Sequence, residues 1–287
     1  MTSRLAAFVS VLLLVLAACS GDGASALASI ATSTAPTAAT SAAPSAGPAA
    51  PPAALTILGA ASLKGVLDRV KTAYEAASPG TTLTISTDSS ATLETQIEQG
   101  APADVLLSAD TTNPKKLVDM GLADGAAVNF AGNKLTVIVP TANPAGIKTP
   151  ADLARTGVKV IPAGDAVPIT KYATQLVANL AKASGYPAGF AAKYISNIAS
   201  KEDNVKAFVA KIELGEGDAG IVYVTDAKAS TKVTPVDVPG TANVPATYAG
   251  VVVKASKNAA AAHAFLTWFG GPDGQAILST FGFLPPS

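Results

Sequence analysis

An α/β fold is what this sequence predicts. From about Leu55 onward, short apolar runs of strand length alternate with segments whose apolar residues recur at helical spacing. Gly, Pro or Asn punctuates the changes from one kind to the other. The rhythm runs to Pro140 and resumes at Val158, so the chain has room for two lobes. Such alternation implies a mostly parallel sheet with helices on both faces.

The elements follow in order. LTILGAAS, from Leu55 to Ser62, reads as a buried strand entering a turn, and Leu63, Val66, Leu67, Val70 and Tyr74 then mark a helix that Pro79-Gly80 ends. TTLTIST (81–87) alternates as a strand. ATLETQIEQG places Leu93 and Ile97 inward on a helix stopped by Gly100. ADVLLSA is a near-continuous apolar strand from Ala103, PKKLVDMG a helix opened by Asn113-Pro114, and KLTVIVP a strand ending at Pro140. Beyond it, VKVIPA (158–163) reads as a strand, and the segment from Pro168 to Ser184 as a helix with proline in its first turn. Glu202 to Gly215 is a helix, AGIVYVTDA a strand and turn, and ATYAGVVV (246–253) a strand. Helices ending at Gly271 and Gly282 close the chain. Extended strands near Thr136–Pro140 and Ala246–Val253 are the expected connections between lobes. This places one lobe at residues 55–136 plus 246–287 and the other at 137–245.

The start of the chain is of another kind. Arg4 precedes an apolar run from Leu5 to Ala18, which ends LAAC at Cys19. The run falls short of the ~20 apolar residues that span a bilayer. It resembles a bacterial lipoprotein signal (residues 1–18), which implies cleavage, lipid attachment at Cys19 and an extracytoplasmic, membrane-anchored protein. An ordinary signal peptide with an incidental cysteine is the rival reading. Residues 19–54 are almost all Ala, Ser, Thr, Pro and Gly, and are expected to be a flexible tether with a reach of about 30 Å.

Composition removes several functions. Basic and acidic residues balance at 20 each, without a basic stripe, so nucleic acid is not an expected partner. Cys19 is the only cysteine, which excludes a disulfide framework, a thiolate metal site and a cysteine nucleophile in the folded part. No His/Cys/carboxylate cluster has metal spacing, and no G-x-S-x-G elbow occurs. His263, the single histidine, lies in an Ala-rich terminal helix and reads as a surface or packing residue. Ser62 and Lys64 do not face each other on a helix, so they do not form a nucleophile and base. The chain is expected to be neither an enzyme nor dependent on a cofactor.

Ligands in open α/β sheets sit at the carboxyl ends of strands, where helices begin. Two such junctions here end in serine: AAS at Ser62 and DSSAT at Ser89 and Ser90. Capping explains one serine. Two adjacent βα units bring two hydroxyls to one sheet edge, beside helix N-termini that favour anions. Arginine, the usual carboxylate and phosphate clamp, is absent from these junctions: Arg69 is mid-helix and Arg155 lies in a connecting loop. Lys64 and Lys171, near helix starts, read as solvated. GDAVPIT (164–170), EDNV (202–205) and Tyr223 at a strand end offer matching features in the second half.

At these residues the chain resembles the molybdate-binding proteins of bacterial ABC importers. The matching segments are AASL (60–63), SSATL (89–93), GAPADVLLSAD (100–110), GNKLTVIVP (132–140), GDAVP (164–168), EDNV, GIVYVTDA (220–227) and a terminal FGF. The resemblance implies a type II periplasmic-binding-protein fold, with two α/β lobes and a tetrahedral oxyanion, molybdate or tungstate, in the cleft between them. It implies hydroxyl donors at Ser62, Ser90 and Tyr223 and backbone donors at Ser62, Ile169 and Val205. It implies a monomer that delivers its anion to ABC permease membrane subunits. A binding protein for sulfate or another tetrahedral oxyanion is the alternative. Two departures carry expectations. Ile169-Thr170 stands where the family often has Ala-Gly, so Thr170 adds a hydroxyl that could contribute to the site. Asp88 would repel a buried dianion, and is expected to point away and bond backbone amides.

Overall fold

The computed structural model describes residues 51–286. Cys19, the signal segment and residues 19–50 of the expected tether lie outside them. Ala54, assigned to the tether by composition, already pairs with Thr82 as the first residue of a strand.

The first lobe is built on a five-stranded sheet. Strand β1 (Ala54–Ala60) leads through a 3₁₀ turn at Ala61–Leu63 into helix α1 (Lys64–Ala77), and β2 (Thr82–Asp88) into α2 (Ser90–Glu98). Strand β3 (Val105–Ser108) precedes α3 (Thr112–Asp119), and β4 (Val128–Asn133) follows. Late in the chain, β8 (Ala246–Val252) returns to this sheet, and α8 (Ala259–Gly270) and α9 (Pro272–Thr280) pack beside it. The strand order is β2-β1-β3-β8-β4. Helix α1 forms where its spacing predicts: Val66, Leu67, Val70 and Tyr74 are buried on one face. Each such side chain contributes about 1.5–3 kcal/mol relative to exposure.

The second lobe holds β5 (Leu135–Pro140), α4 (Pro168–Leu180), α5 (Phe190–Ser196), α6 (Val205–Glu213), β6 (Gly220–Tyr223), α7 (Val224–Lys228) and β7 (Val233–Val236). Its three strands lie in the order β6-β5-β7.

Several expectations need correction. Only β1, β2 and β3 pair in parallel; β8 runs antiparallel to both its neighbours, and the second sheet is antiparallel throughout. A long excursion separates β4 from β8, and a chain returning from the other lobe need not make a right-handed βαβ crossover. VKVIPA is not a sheet strand, because Pro162 lacks a donor; Val160 and Ala163 make isolated bridges only. Strand β7 escaped notice because of Pro235, which is tolerated since β7 is an edge. Strand β4 (VNFAGN) has no clean alternation of apolar and polar residues. Leu135 and Thr136, expected in the first lobe, pair with Tyr223 and Val222 in the second sheet, so the chain changes sheets at Lys134. The two connecting segments are held together there: Asn243 accepts from Leu135 N–H at 3.0 Å and donates to Leu135 C=O at 2.8 Å.

Register positions the site. Strands β1 and β2 pair without offset from Ala54–Thr82 to Ala60–Asp88, so they end level. Gly59 lies opposite Leu107 of β3. Ser62, Ser89, Ser90 and Ala109 therefore emerge at one edge of one sheet. Beneath that edge an aromatic series runs from Tyr74 through Phe265, Phe269 and Phe130 to Tyr248, with successive centroids 4.8–6.1 Å apart. Tyr223 joins the series from the other lobe, 5.4 Å from Tyr248. Gly220 lets β6 approach closely: a Cβ there would stand 2.8 Å from the Ile161 carbonyl oxygen.

Candidate functional site

A small cavity lies where the two sheets' edges face each other. Ser62, Ser89, Ser90 and Ala109 line it from the first lobe, and Val167, Pro168, Ile169, Asn204, Val205 and Tyr223 from the second. The structure thus brings Ser62, Ser90, Ile169, Val205 and Tyr223 together, although they span more than half the chain. The cavity's volume is about 10 Å³, the scale of a single water, so the two lobes lie nearly in contact around it. None of the lining residues carries a formal charge.

The hydroxyls are polarised by their partners. Asn133 Oδ1 accepts from Lys134 N–H at 2.9 Å, which leaves Nδ2 to donate to Thr225 Oγ1 at 2.9 Å and Tyr248 OH at 3.5 Å. Tyr248 OH and Ser62 Oγ lie 3.0 Å apart, and with Asn133 donating to the phenol oxygen the phenol proton can go to Ser62. In that arrangement Ser62 accepts from the phenol and keeps its own proton free to donate. Ser90 reaches the same state by another route, since its Oγ accepts from Ala109 N–H at 3.0 Å. Both serines are buried, so each remaining O–H is aimed within the cleft rather than at bulk water.

The second lobe contributes helix starts and a phenol. Ile169 and Val205 occupy the first turns of α4 and α6, where backbone N–H groups lack intrahelical acceptors. Pro168 at the first position of α4 and Asn204 at the N-cap of α6 define those starts; Asn204 Oδ1 accepts from Ala207 N–H at 3.0 Å. Helices α2, α4 and α6 all begin at the cavity, and their dipoles favour negative charge there. Tyr223 is fully buried, and its hydroxyl reaches the Ala109 carbonyl only at 3.5 Å. Burial pushes its phenol well above the usual tyrosine value, so it remains a protonated donor.

Asp88 is not among the lining residues. Its Oδ1 accepts from Ser89 N–H at 2.7 Å and from Asn204 Nδ2 at 2.9 Å, one amide being backbone and the other a side chain of the opposite lobe. Thr170 faces away from the cavity: its hydroxyl donates to the Ala163 and Gly164 carbonyls at 3.0 and 2.8 Å, so its part is to brace the loop before α4. Lys171 donates to Thr112 Oγ1 across the cleft, and neither Lys171 nor Lys64 lines the cavity. His263 is half-exposed and pairs with Asp124 at 3.0 Å. Among the described residues no cluster of His, Cys, Asp or Glu is arranged to hold a metal ion, and no helix is long and apolar enough to cross a membrane.

The sequence did not disclose the partners of Ser62 and Ser90. Tyr248 is 186 positions from Ser62 and reads as an ordinary strand residue. Ala109 carries no polar side chain to mark it. Asn204 was visible as a cap, yet not as a group that reaches Asp88.

Two α/β lobes facing each other over a small cavity lined by neutral hydrogen-bond donors have the arrangement of a solute-binding protein. The chain belongs to the bacterial extracellular solute-binding protein family, whose pattern matches residues 55–284. The molybdate-binding protein ModA of Mycobacterium tuberculosis (strain ATCC 25618 / H37Rv) is 33% identical over 234 residues, which cover 81% of this chain and 85% of ModA. The periplasmic molybdate-binding protein of Azotobacter vinelandii superposes with a TM-score of 0.70 at 25% identity, covering 81% of this chain and all of that one. The sulfate-binding protein SubI of Mycobacterium tuberculosis H37Rv shares the fold, with a TM-score of 0.72 at 22% identity over 81% of this chain and 87% of that one.

Proposed function

We propose that this protein captures molybdate, and tungstate equally well, and delivers it to the membrane subunits of an ABC permease. The observation that carries this reading is the cavity's donor set: Ser62, Ser90 and Tyr223 hydroxyls and the Ile169 and Val205 amides, with no charged side chain among the lining residues. Neutral donors suit a small, fully deprotonated oxyanion. Each hydrogen bond to a charged ligand contributes on the order of 1.5–3 kcal/mol, so about five offset the association cost and support micromolar or tighter binding. A protonated phosphate needs an acceptor for its own proton, and no carboxylate lines the cavity. The ModA relatives from other bacteria favour the same ligand.

Capture follows from geometry. Serines of one lobe and helix starts of the other meet one anion only when the lobes are together, so the ligand stabilises the closed form over the open one. Molybdate and tungstate are nearly equal in size and charge, so fixed donors hardly separate them. Lipid attachment at Cys19 would keep the closed protein near its permease.

Sulfate is the second reading, because none of these donors distinguishes one tetrahedral dianion from another except through cavity size. Titration calorimetry of the purified protein with molybdate, tungstate, sulfate and phosphate tests both. Tight binding of molybdate and tungstate with weak sulfate binding is expected. Absence of molybdate binding would overturn the proposal, and tight sulfate binding would replace it with the alternative.

A further inference from the structure

The residue before Ser90 is harder to explain by folding. Ser89 is the N-cap of α2, the position at which a serine hydroxyl ordinarily accepts from a backbone N–H in the first turn. Here it makes no such bond. The residue is 3% exposed, its Oγ has no partner in the protein, and it lines the same cavity as Ser62 and Ser90. A buried hydroxyl without a partner is costly, and alanine would occupy the position without that cost.

The polar side chains beside it have other partners. The Ser62 and Ser90 oxygens are engaged by Tyr248 and by Ala109 N–H. Asn204, from the facing lobe, directs Nδ2 to Asp88 and Oδ1 to Ala207 N–H. The remaining first-lobe lining residues, Ala60, Ala61 and Ala109, have no polar side chain. Ser89 also cannot serve through its backbone, because its N–H donates to Asp88 Oδ1 at 2.7 Å. Asp88 thus withdraws the amide of the α2 N-cap from the cavity, and the hydroxyl of the same residue is left in its place.

We infer that Ser89 is a third serine donor to the bound oxyanion, its O–H completing a set with Ser62 and Ser90 on the first-lobe side. The inference rests on the oxyanion reading of the cavity. It assigns the SS pair two direct contacts with the anion.

The test is calorimetric titration of wild type, Ser89→Ala and Ser89→Thr with molybdate and sulfate, alongside melting temperatures of the ligand-free proteins. Ser89→Ala is expected to raise Kd by about tenfold, with a ligand-free Tm no lower than wild type, while Ser89→Thr keeps most of the affinity. An Ala variant within twofold of wild type overturns the inference while leaving the function intact. A weakened Ala variant with a lowered ligand-free Tm, not rescued by Thr, also overturns it, since Ser89 would then be structural. If wild type binds sulfate and not molybdate, the molybdate reading falls and the Ser89 comparison is read on sulfate. Binding of neither anion by wild type overturns both.

Discussion

Asp88 Oδ1 accepts a 2.9 Å hydrogen bond from Asn204 Nδ2, joining the end of β2 to the start of α6 across the cleft. Two effects meet at Asp88: its hydrogen bonds hold the lobes together, and its charge opposes an incoming anion. Asp88→Asn keeps a carbonyl oxygen for Ser89 N–H and Asn204 Nδ2 and removes the charge, so affinity should equal or exceed wild type. Asp88→Ala loses both bonds and should bind less tightly than Asp88→Asn. Asn204→Asp retains an acceptor for Ala207 N–H but sets one carboxylate against another. Its Tm should stay near that of wild type while Kd rises by about tenfold or more. Calorimetry and thermal melts on the four proteins check the order.

Tyr223→Phe separates binding from folding. The hydroxyl has one protein contact, at the 3.5 Å limit of hydrogen bonding, so its removal should leave the ligand-free Tm almost unchanged. The Kd for molybdate should rise by about tenfold. Ser90→Ala should differ, because it also orphans Ala109 N–H. Both Tm and affinity should fall, with folding stability and binding free energy each reduced by about 1–3 kcal/mol.

Glu94 on α2 is 2% exposed, and its Oε2 accepts from Lys116 at 3.1 Å. Burial, reinforced by a hydrogen bond with Glu98, raises its carboxyl above the ordinary glutamate value. A carboxyl shifted upward contributes stability that is present below the unfolded value and lost as pH rises through the folded one. Glu94→Gln should therefore raise Tm at pH 7 and give little gain near pH 4. Lys116 also pairs with Glu98, at 2.7 Å, and should keep that partner in the variant. Melts at the two pH values check the sign.

Alkaline conditions should find the buried phenols. Burial, with the charge of Asp110, pushes Tyr172 up to about 12, and burial raises Tyr194, Tyr223 and Tyr248 as well. Unfolded tyrosines titrate near ~10. Above that pH the unfolded chain releases protons that the folded chain keeps, so stability falls as pH rises. Thermal melts should be insensitive to these groups up to about pH 9 and decline above about pH 10. Tyr172→Phe should make the decline shallower.

The local determinants of this protein were legible in its residues. Leu63 to Tyr74 and Pro168 to Leu180 carry helical spacing; Pro168 and Asn204 mark helix starts; serines stand where strands end. Those signals are short-range, since a helix face or a cap depends on residues three or four apart. From them came the two-lobed α/β reading; the five residues that line one cavity were implied by the resemblance to molybdate-binding proteins.

What tertiary structure alone decided concerns contacts between segments more than a hundred positions apart. The antiparallel insertion of β8 between β3 and β4 depends on where the chain returns from the other lobe, which periodicity does not encode. The direction in which Ser62 donates is set by Tyr248 and Asn133, that of Ser90 by Ala109 N–H, and the orientation of Asp88 partly by Asn204. A hydroxyl can donate or accept with equal ease, so a serine in a sequence has no polarity of its own. The fold supplies one by offering the acceptor side a partner, and that leaves the protons of two helix-start serines available to donate.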